Sequence, residues 1–135
     1  MHIGLGLQLA NLDRRVPDAD VYALELGLGA RAEQAGFDSV WVSEHHFSDY
    51  QLTSQQSMVL SWLAGQTSRI RLGTFVTVLP WHDPVRVAES FSVLDHLSGG
   101  RAVLDIGRGM RQMEFVGYRG QRGEARRKLK ETSKA

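Results

Sequence analysis

The chain of 135 residues has no cysteine, which excludes a disulfide framework and a thiolate metal site. No apolar run reaches the length needed to cross a membrane. The opening "MHIGLGLQLANLDRR" lacks the basic start and small-residue cleavage site of a secretory signal. The expectation is a soluble, cytoplasmic protein with no membrane partner. Nor is there a dinucleotide turn: neither "GLGARAEQAG" nor "GRG" (107 to 109) fits G-x-G-x-x-G between a strand and a helix. Net charge is only +1 but is unevenly spread, with six basic and eleven acidic residues up to position 100 and ten against four after it. A basic tail suits nucleic acid, yet "GEARRKLKETSKA" mixes both signs at helical spacing, as a solvated amphipathic helix does. No nucleic-acid partner is expected.

What is present is enough for one compact domain, at 42% hydrophobic and 23% charged residues. The hydrophobic period switches repeatedly between strand and helix. "HIGLGLQL" (2 to 9) reads as the first strand. Val21, Leu24, Leu28, Ala32 and Ala35 then mark one face of a helix running from Asp20 to Gly36, although Gly27 and Gly29 weaken it. "FDSVWV" (37 to 42) is a second strand. A second helix starts near Thr53 or Ser54 and turns Met58, Val59, Trp62 and Leu63 inward. The third strand, "RIRLGTFVTVLP" (69 to 80), becomes almost wholly apolar, as a strand covered on both faces does. The third helix is the best punctuated, with Asp83 as N-cap, Pro84 at its first position and Gly99-Gly100 at its stop. "RAVLDIG" (101 to 107) is the fourth strand, followed by a loop and a fourth helix from about residue 123.

Four strand-helix units imply an α/β fold with parallel strands in the order one to four, as either a small open sheet or half of an eightfold barrel. In both, ligands gather at the C-terminal ends of the strands. That face receives Gln8 and Asn11, then residues 44 to 47, 77 to 82 and 107 to 111. "GFDSVWVSEHHFSDY" (36 to 50) therefore sets Glu44, His45 and His46 at the lip of a buried strand. An imidazole there can act as a general base near neutral pH, or be a loop histidine satisfied by the neighbouring carboxylate. No metal is expected, because adjacent strand residues point to opposite faces and do not share one ion well. Arg108, among glycines, can approach a phosphate with its fork or pair with Glu114 or Asp105 at the rim.

"GFDSVWVSEHHFSDY", "RIRLGTFVTVLPWHDPVRVAESFSVLDHLSGGR" and "GRGMRQMEFVGY" together resemble the N-terminal half of the bacterial luciferase-like, flavin-dependent monooxygenases. The resemblance implies four βα units of a (β/α)8 TIM barrel, forming a single domain over residues 1 to 135 truncated inside the fourth helix. It implies an oxidoreductase that takes reduced FMN from a separate flavin reductase, adds dioxygen at the flavin C4a position and oxygenates a small organic substrate. F420-dependent hydride transfer is an alternative within the family, and a non-catalytic flavin-binding or dimerisation module is another. By the same resemblance His45 is the catalytic histidine, with Glu44 orienting an imidazole or holding the loop and His46 of lesser weight. Arg108 and Arg126 contact flavin phosphate, and Gly107, Thr74 and Phe75 lie along the cofactor. Helices two and three form a homo-oligomer contact, carrying Met58, Trp62, Phe91, Leu94 and Leu97. A lone half-barrel also leaves strand edges unpaired, which adds to the expectation of a partner or of a partial chain.

Overall fold

The computed structural model of the protein describes residues 1–120 and 122–133. Lys134 and Ala135, the end of the basic run, lie outside the described residues. The strands are β1 (Gly4–Leu7), β2 (Ser39–Val42), β3 (Arg71–Thr74), β4 (Thr77–Val78), β5 (Ala102–Val103) and β6 (Ile106–Gly107). The helices are α1 (Asp18–Ala32), α2 (Gln56–Ala64), α3 (Pro84–Ser98), α4 (Gln112–Gly117) and α5 (Ala125–Thr132). β1, β2, β3 and β5 form one sheet in that order, and every pairing is parallel. The expected order of the four units is thus found.

The third and fourth expected strands are each broken in two. β3 ends at Thr74 and β5 at Val103, and the chain resumes as the parallel pair β4–β6, with Thr77 opposite Ile106 and Val78 opposite Gly107. A side chain holds the break. Thr74 Oγ1 donates to the Asp105 carbonyl at 2.9 Å and accepts the Asp105 N–H at 3.0 Å. An apolar run shows burial but not this interruption, because the Thr74 bond replaces ladder bonds without changing the pattern of side chains.

The core lies between the sheet and α1 to α3, around Leu7, Val40, Val42, Leu60, Leu63, Leu72 and Leu94. Two helices face it differently from their apolar stripes. On α1 the buried residues are Val21, Gly29 and Ala32, while Leu24 and Leu28 are exposed. The cause is Gly29: a Cβ there would stand 2.8 Å from Leu63 Cδ2, so the glycine that weakens the helix lets it close on α2. On α2 the inward residues are Gln56, Val59, Leu60, Leu63 and Ala64, whereas Met58 and Trp62 face outward. Its N-cap is Gln55, with no side-chain cap bond, rather than Thr53 or Ser54.

α3 follows its sequence punctuation: Asp83 accepts the N–H groups of Val85 and Arg86 at 2.9 and 3.2 Å, and Gly99 ends it in the left-handed region at φ 68°. Arg101 then ties the next strand to the end of α2, donating to the Ala64, Thr67 and Ile70 carbonyls at 3.0 to 3.1 Å. This fixes β5 and thereby the segment that carries Arg108. The stretch expected as a loop after Gly107 contains α4, which delivers Glu114 to the sheet's C-terminal edge.

Candidate functional site

β2 delivers residues 43 to 47 to the C-terminal edge of the sheet, where the His45 N–H donates to the Thr53 carbonyl at 2.9 Å. Glu44 and His46 turn to one side and meet each other, while His45 between them turns to α4. His45 Nδ1 lies 2.9 Å from Glu114 Oε1, and the same buried oxygen accepts the His46 N–H at 3.2 Å. A carboxylate only accepts, so the His45 proton sits on Nδ1 and the Nε2 lone pair is left free. Nε2 has no hydrogen-bond partner among the described residues, and His45 borders two cavities of about 590 and 500 Å³.

His46 is the opposite case. It is buried, with Nε2 2.8 Å from Glu44 Oε1 and Nδ1 2.8 Å from the Tyr118 hydroxyl. Glu44 Oε1 also meets His82 Nε2 at 2.8 Å, and Oε2 accepts the Val78 N–H at 2.8 Å. Burial works against the Glu44 charge, but the His46 and His82 hydrogen bonds, the His82 charge and the Val78 N–H outweigh it and lower its pKa to about 2. In return the Glu44 hydrogen bond, aided by its charge, raises the His82 pKa despite burial. Burial, with Glu44 and Glu114 nearby, raises the Tyr118 phenol. Glu44 therefore orients His46 and His82, not His45, and His45 has a carboxylate of its own.

The cavity of about 500 Å³ brings Glu44, His45, Glu114 and Arg108 together. Its walls include Tyr50, Phe75, Val76, Val78, Gly109, Met110 and Arg111. Arg111 stacks over Tyr50 with Cζ 4.2 Å from the ring centroid, and Tyr50 meets His45 edge-on at 5.1 Å. The other expected site residues are placed differently. Phe75 lines the cavity and is 68% exposed. Thr74 is buried with its hydroxyl used up on Asp105. Gly107 answers to packing, since a Cβ there would come within 2.2 Å of Val76 Cγ2. Arg126 is exposed on α5 and borders neither cavity. Among the described residues no group of His, Cys, Asp and Glu is arranged to hold a metal ion.

Sequence reasoning missed Glu114 as the partner of His45, His82 and Tyr118 as the other ends of the Glu44 network, and Arg111 in the cavity wall. His82 and Arg111 do fall in the strand-end segments where ligand chemistry gathers. Glu114 gives no such signal, because α4 has only six residues and no side-chain cap. Gln8 and Asn11 reach the same edge and bond within the fold, Gln8 Oε1 accepting from Gln51 and the Asn11 amide donating to Val16 and Asp18.

The family model for luciferase-like monooxygenases matches residues 1–135. The 4-hydroxyprotoasukamycin monooxygenase of Streptomyces nodosus subsp. asukaensis is 40% identical over 95 residues, which is 69% of this chain and 26% of that protein. Among solved structures, the oxygenating constituent of 3,6-diketocamphane monooxygenase from Pseudomonas putida, in complex with FMN, aligns with a TM-score of 0.88 at 20% identity, over 98% of this chain and 37% of that one. An F420-dependent secondary alcohol dehydrogenase aligns at 0.75 with 24% identity, over 98% and 40%. The chain thus spans about a quarter of the length of the curated relatives it matches. The structural likeness identifies the four units as half of a TIM barrel rather than a small open sheet.

Proposed function

Because the chain belongs to the luciferase-like monooxygenase family, we propose that it forms the acid–base wall of a site that oxygenates a small organic substrate with reduced FMN and dioxygen. The observation that carries this reading is His45: one ring nitrogen held by Glu114, the other free, in the cavity that also holds Arg108. That cavity fits the cofactor. Arg108 offers a planar fork for a phosphate, and Tyr50, Phe75, Val76 and Val78 offer apolar surface for a ring. When bound, the reduced flavin supplies the electrons and the reaction with dioxygen. His45 Nε2 takes and returns the proton that moves during oxygen transfer. Glu114 fixes its tautomer and steadies the imidazolium, while Glu44, His46 and His82 hold the loop beneath it. A separate reductase in the cytoplasm supplies the reduced flavin.

Titration of the purified protein with FMN, riboflavin and F420 tests this reading. FMN is expected to bind at least ~10-fold more tightly than riboflavin, about the weight of a charge-assisted phosphate contact. Arg108→Ala should erase the difference, whereas Arg126→Ala, outside the cavity, should change it less than ~3-fold. Failure of every flavin to bind would leave the alternative of a non-catalytic interaction module. Preference for F420 would favour hydride transfer, the reading that the likeness to the alcohol dehydrogenase supports.

We also propose a homo-oligomer built on the outer faces of α2 and α3. These helices pack side by side and leave Met58, Trp62, Val93 and Leu97 exposed, a larger apolar surface than isolated side chains make. Leu94, expected in the contact, is fully buried in the core, and Phe91 packs partly against it. Light scattering at micromolar concentration should therefore show a dimer that Leu97→Glu converts to monomer with the circular dichroism unchanged. A monodisperse wild-type monomer would refute the contact.

A further inference from the structure

The flavin reading leaves a second cavity without an occupant. It holds about 590 Å³, the size of a small-molecule site, and His45 borders it as well as the flavin cavity. Phe47 and Leu52 give it apolar surface, Ser54 and Gln55 give it polar groups, and Arg14 and Asp49 balance each other in a 3.0 Å ion pair. Such walls suit an uncharged molecule with a ring and a polar group.

His46 and Tyr118 line the same cavity, and the direction of their hydrogen bonds matters. Glu44, with its pKa of about 2, is ionised at neutral pH and only accepts, so His46 carries its proton on Nε2, 2.8 Å from Glu44 Oε1. Nδ1 then accepts from the Tyr118 hydroxyl at 2.8 Å. Tyr118 is 40% exposed and keeps lone pairs on its oxygen for a further donor. Each proton in the row Tyr118–His46–Glu44 thus points inward, toward the buried carboxylate. In this order the imidazole can take the hydroxyl proton while the carboxylate steadies the imidazolium. The other ionisable groups around the row are His82, on the same Glu44 oxygen, and Glu114, on the His46 N–H. Burial, with Glu44 and Glu114 nearby, raises the Tyr118 phenol, so the tyrosine passes a proton on and does not stay ionised.

We propose that this cavity binds the organic substrate by a phenolic hydroxyl, and that Tyr118 and His46 withdraw its proton. This rests on the flavin reading above only in taking the phenol as the molecule that is oxygenated. The substrate O–H bond breaks as its proton joins the Tyr118 oxygen, the Tyr118 proton passes to His46 Nδ1, and the electron pair stays on the substrate oxygen. Glu44 holds the imidazolium so formed. A phenol is assigned rather than an alcohol because its acidity matches that of the tyrosine that receives the proton. The phenolate ring is the more electron-rich one, which favours its oxygenation. His45, in the wall shared with the flavin cavity, is left for the proton of oxygen transfer.

4-Nitrophenol and 4-nitroanisole test the proposal on the full chain, with and without FMN. The phenolate of the first is yellow and its phenol is not, while the second has no proton to give. At pH 6 the wild type is expected to bind 4-nitrophenol and to raise its ratio of phenolate to phenol at least ~10-fold over free solution, the effect of a charge-assisted hydrogen bond. Tyr118→Phe lies outside the flavin cavity, keeps the ring on Trp81 and Phe47 and removes only the hydroxyl. It should bind 4-nitroanisole as the wild type does, which shows that it is folded, and leave bound 4-nitrophenol colourless. Nitrogen NMR of the wild type should show His46 Nδ1 gaining a proton as 4-nitrophenol binds, a readout that needs no variant. A wild type that does not bind 4-nitrophenol, or binds it colourless, or leaves His46 Nδ1 unprotonated, overturns the proposal. So does colour that survives Tyr118→Phe and disappears in His45→Gln, which would give the proton to His45. Yellow binding by a protein with no affinity for any flavin would instead refute the flavin reading and leave the relay standing.

Discussion

Replacing His45 with alanine is expected to lower substrate oxygenation at least ~100-fold in a reductase-coupled assay, the usual weight of a positioned acid–base group. The geometry gives the reason. Of the three imidazoles at this edge, His45 is the one that borders the cavity containing Arg108, with Nδ1 held by a buried carboxylate and Nε2 free; His82 is held by Glu44 through Nε2 and borders a different cavity. His46 spends both nitrogens within the fold, on Glu44 and Tyr118. His46→Ala should accordingly act mainly on stability, with a smaller loss of rate. Glu114→Gln separates two roles of the carboxylate. The amide oxygen still accepts the Nδ1 proton and keeps the tautomer, but no carboxylate charge steadies the imidazolium, so a loss of ~10-fold is expected, against a larger one for Glu114→Leu. Wild-type rates in His45→Ala would remove the residue from the mechanism, and equal rates for Glu114→Gln and Glu114→Leu would remove the tautomer argument.

The fold was legible where the chain announces its own boundaries. Asp83-Pro84 and Gly99-Gly100 bracket α3 because a cap, a fixed φ and a left-handed stop are local chemistry that no tertiary contact needs to supply. It was illegible where packing overrides pattern. Leu24 and Leu28 complete a helical stripe, but the face that packs inward is the one through Val21, Gly29 and Ala32, where the absence of a Cβ on Gly29 lets the helix close on Leu63 of α2 and Leu7 of β1. Met58 and Trp62 face outward although their spacing predicts them inward, because apolar spacing reports what is apolar and an outward apolar face looks like an inward one. A helix of one and a half turns such as α4 has too few residues to show a period.

The site shows the same division. The segment of residues 44 to 46 and Arg108 could be placed from strand ends alone, because parallel strands carry their C-terminal residues to one edge. The pairing among them could not. Adjacency in sequence suggests that Glu44 serves His45, yet in the segment that follows β2 the neighbours turn apart and the next-neighbours meet, giving Glu44 to His46. Glu114, 69 residues away, takes His45. Thr74 and Gly107 illustrate the converse: the family resemblance implies that both lie along the cofactor, and both are explained by bonds and clearances inside the sheet.

Glu44 is the residue whose removal should cost the fold most. Its carboxylate, with a side chain only 1% exposed, accepts from His46, His82 and the Val78 N–H. Glu44→Leu leaves all three donors without the acceptor they share. Breaking a buried pair by deleting one member typically costs about 3–5 kcal/mol, and a loss of that order is expected in urea unfolding at pH 6. The pH dependence identifies the cause. Glu44 has a folded pKa of about 2 against an ordinary 4.5, so its contribution is fully present above pH 4.5 and disappears as the pH falls toward 2. His82 has a raised pKa, so the charged part of its bond to Glu44 is fully present below its ordinary 6.5 and is lost as the pH rises through the raised value. The neutral His82 ring still donates from Nε2, which leaves part of the interaction in place at alkaline pH. The difference in stability between wild type and Glu44→Leu should therefore peak between about pH 4.5 and 6.5 and narrow on both sides. A difference that stays flat from pH 3 to 9, or one below ~1 kcal/mol throughout, would show that the three donors find other partners when the carboxylate is gone.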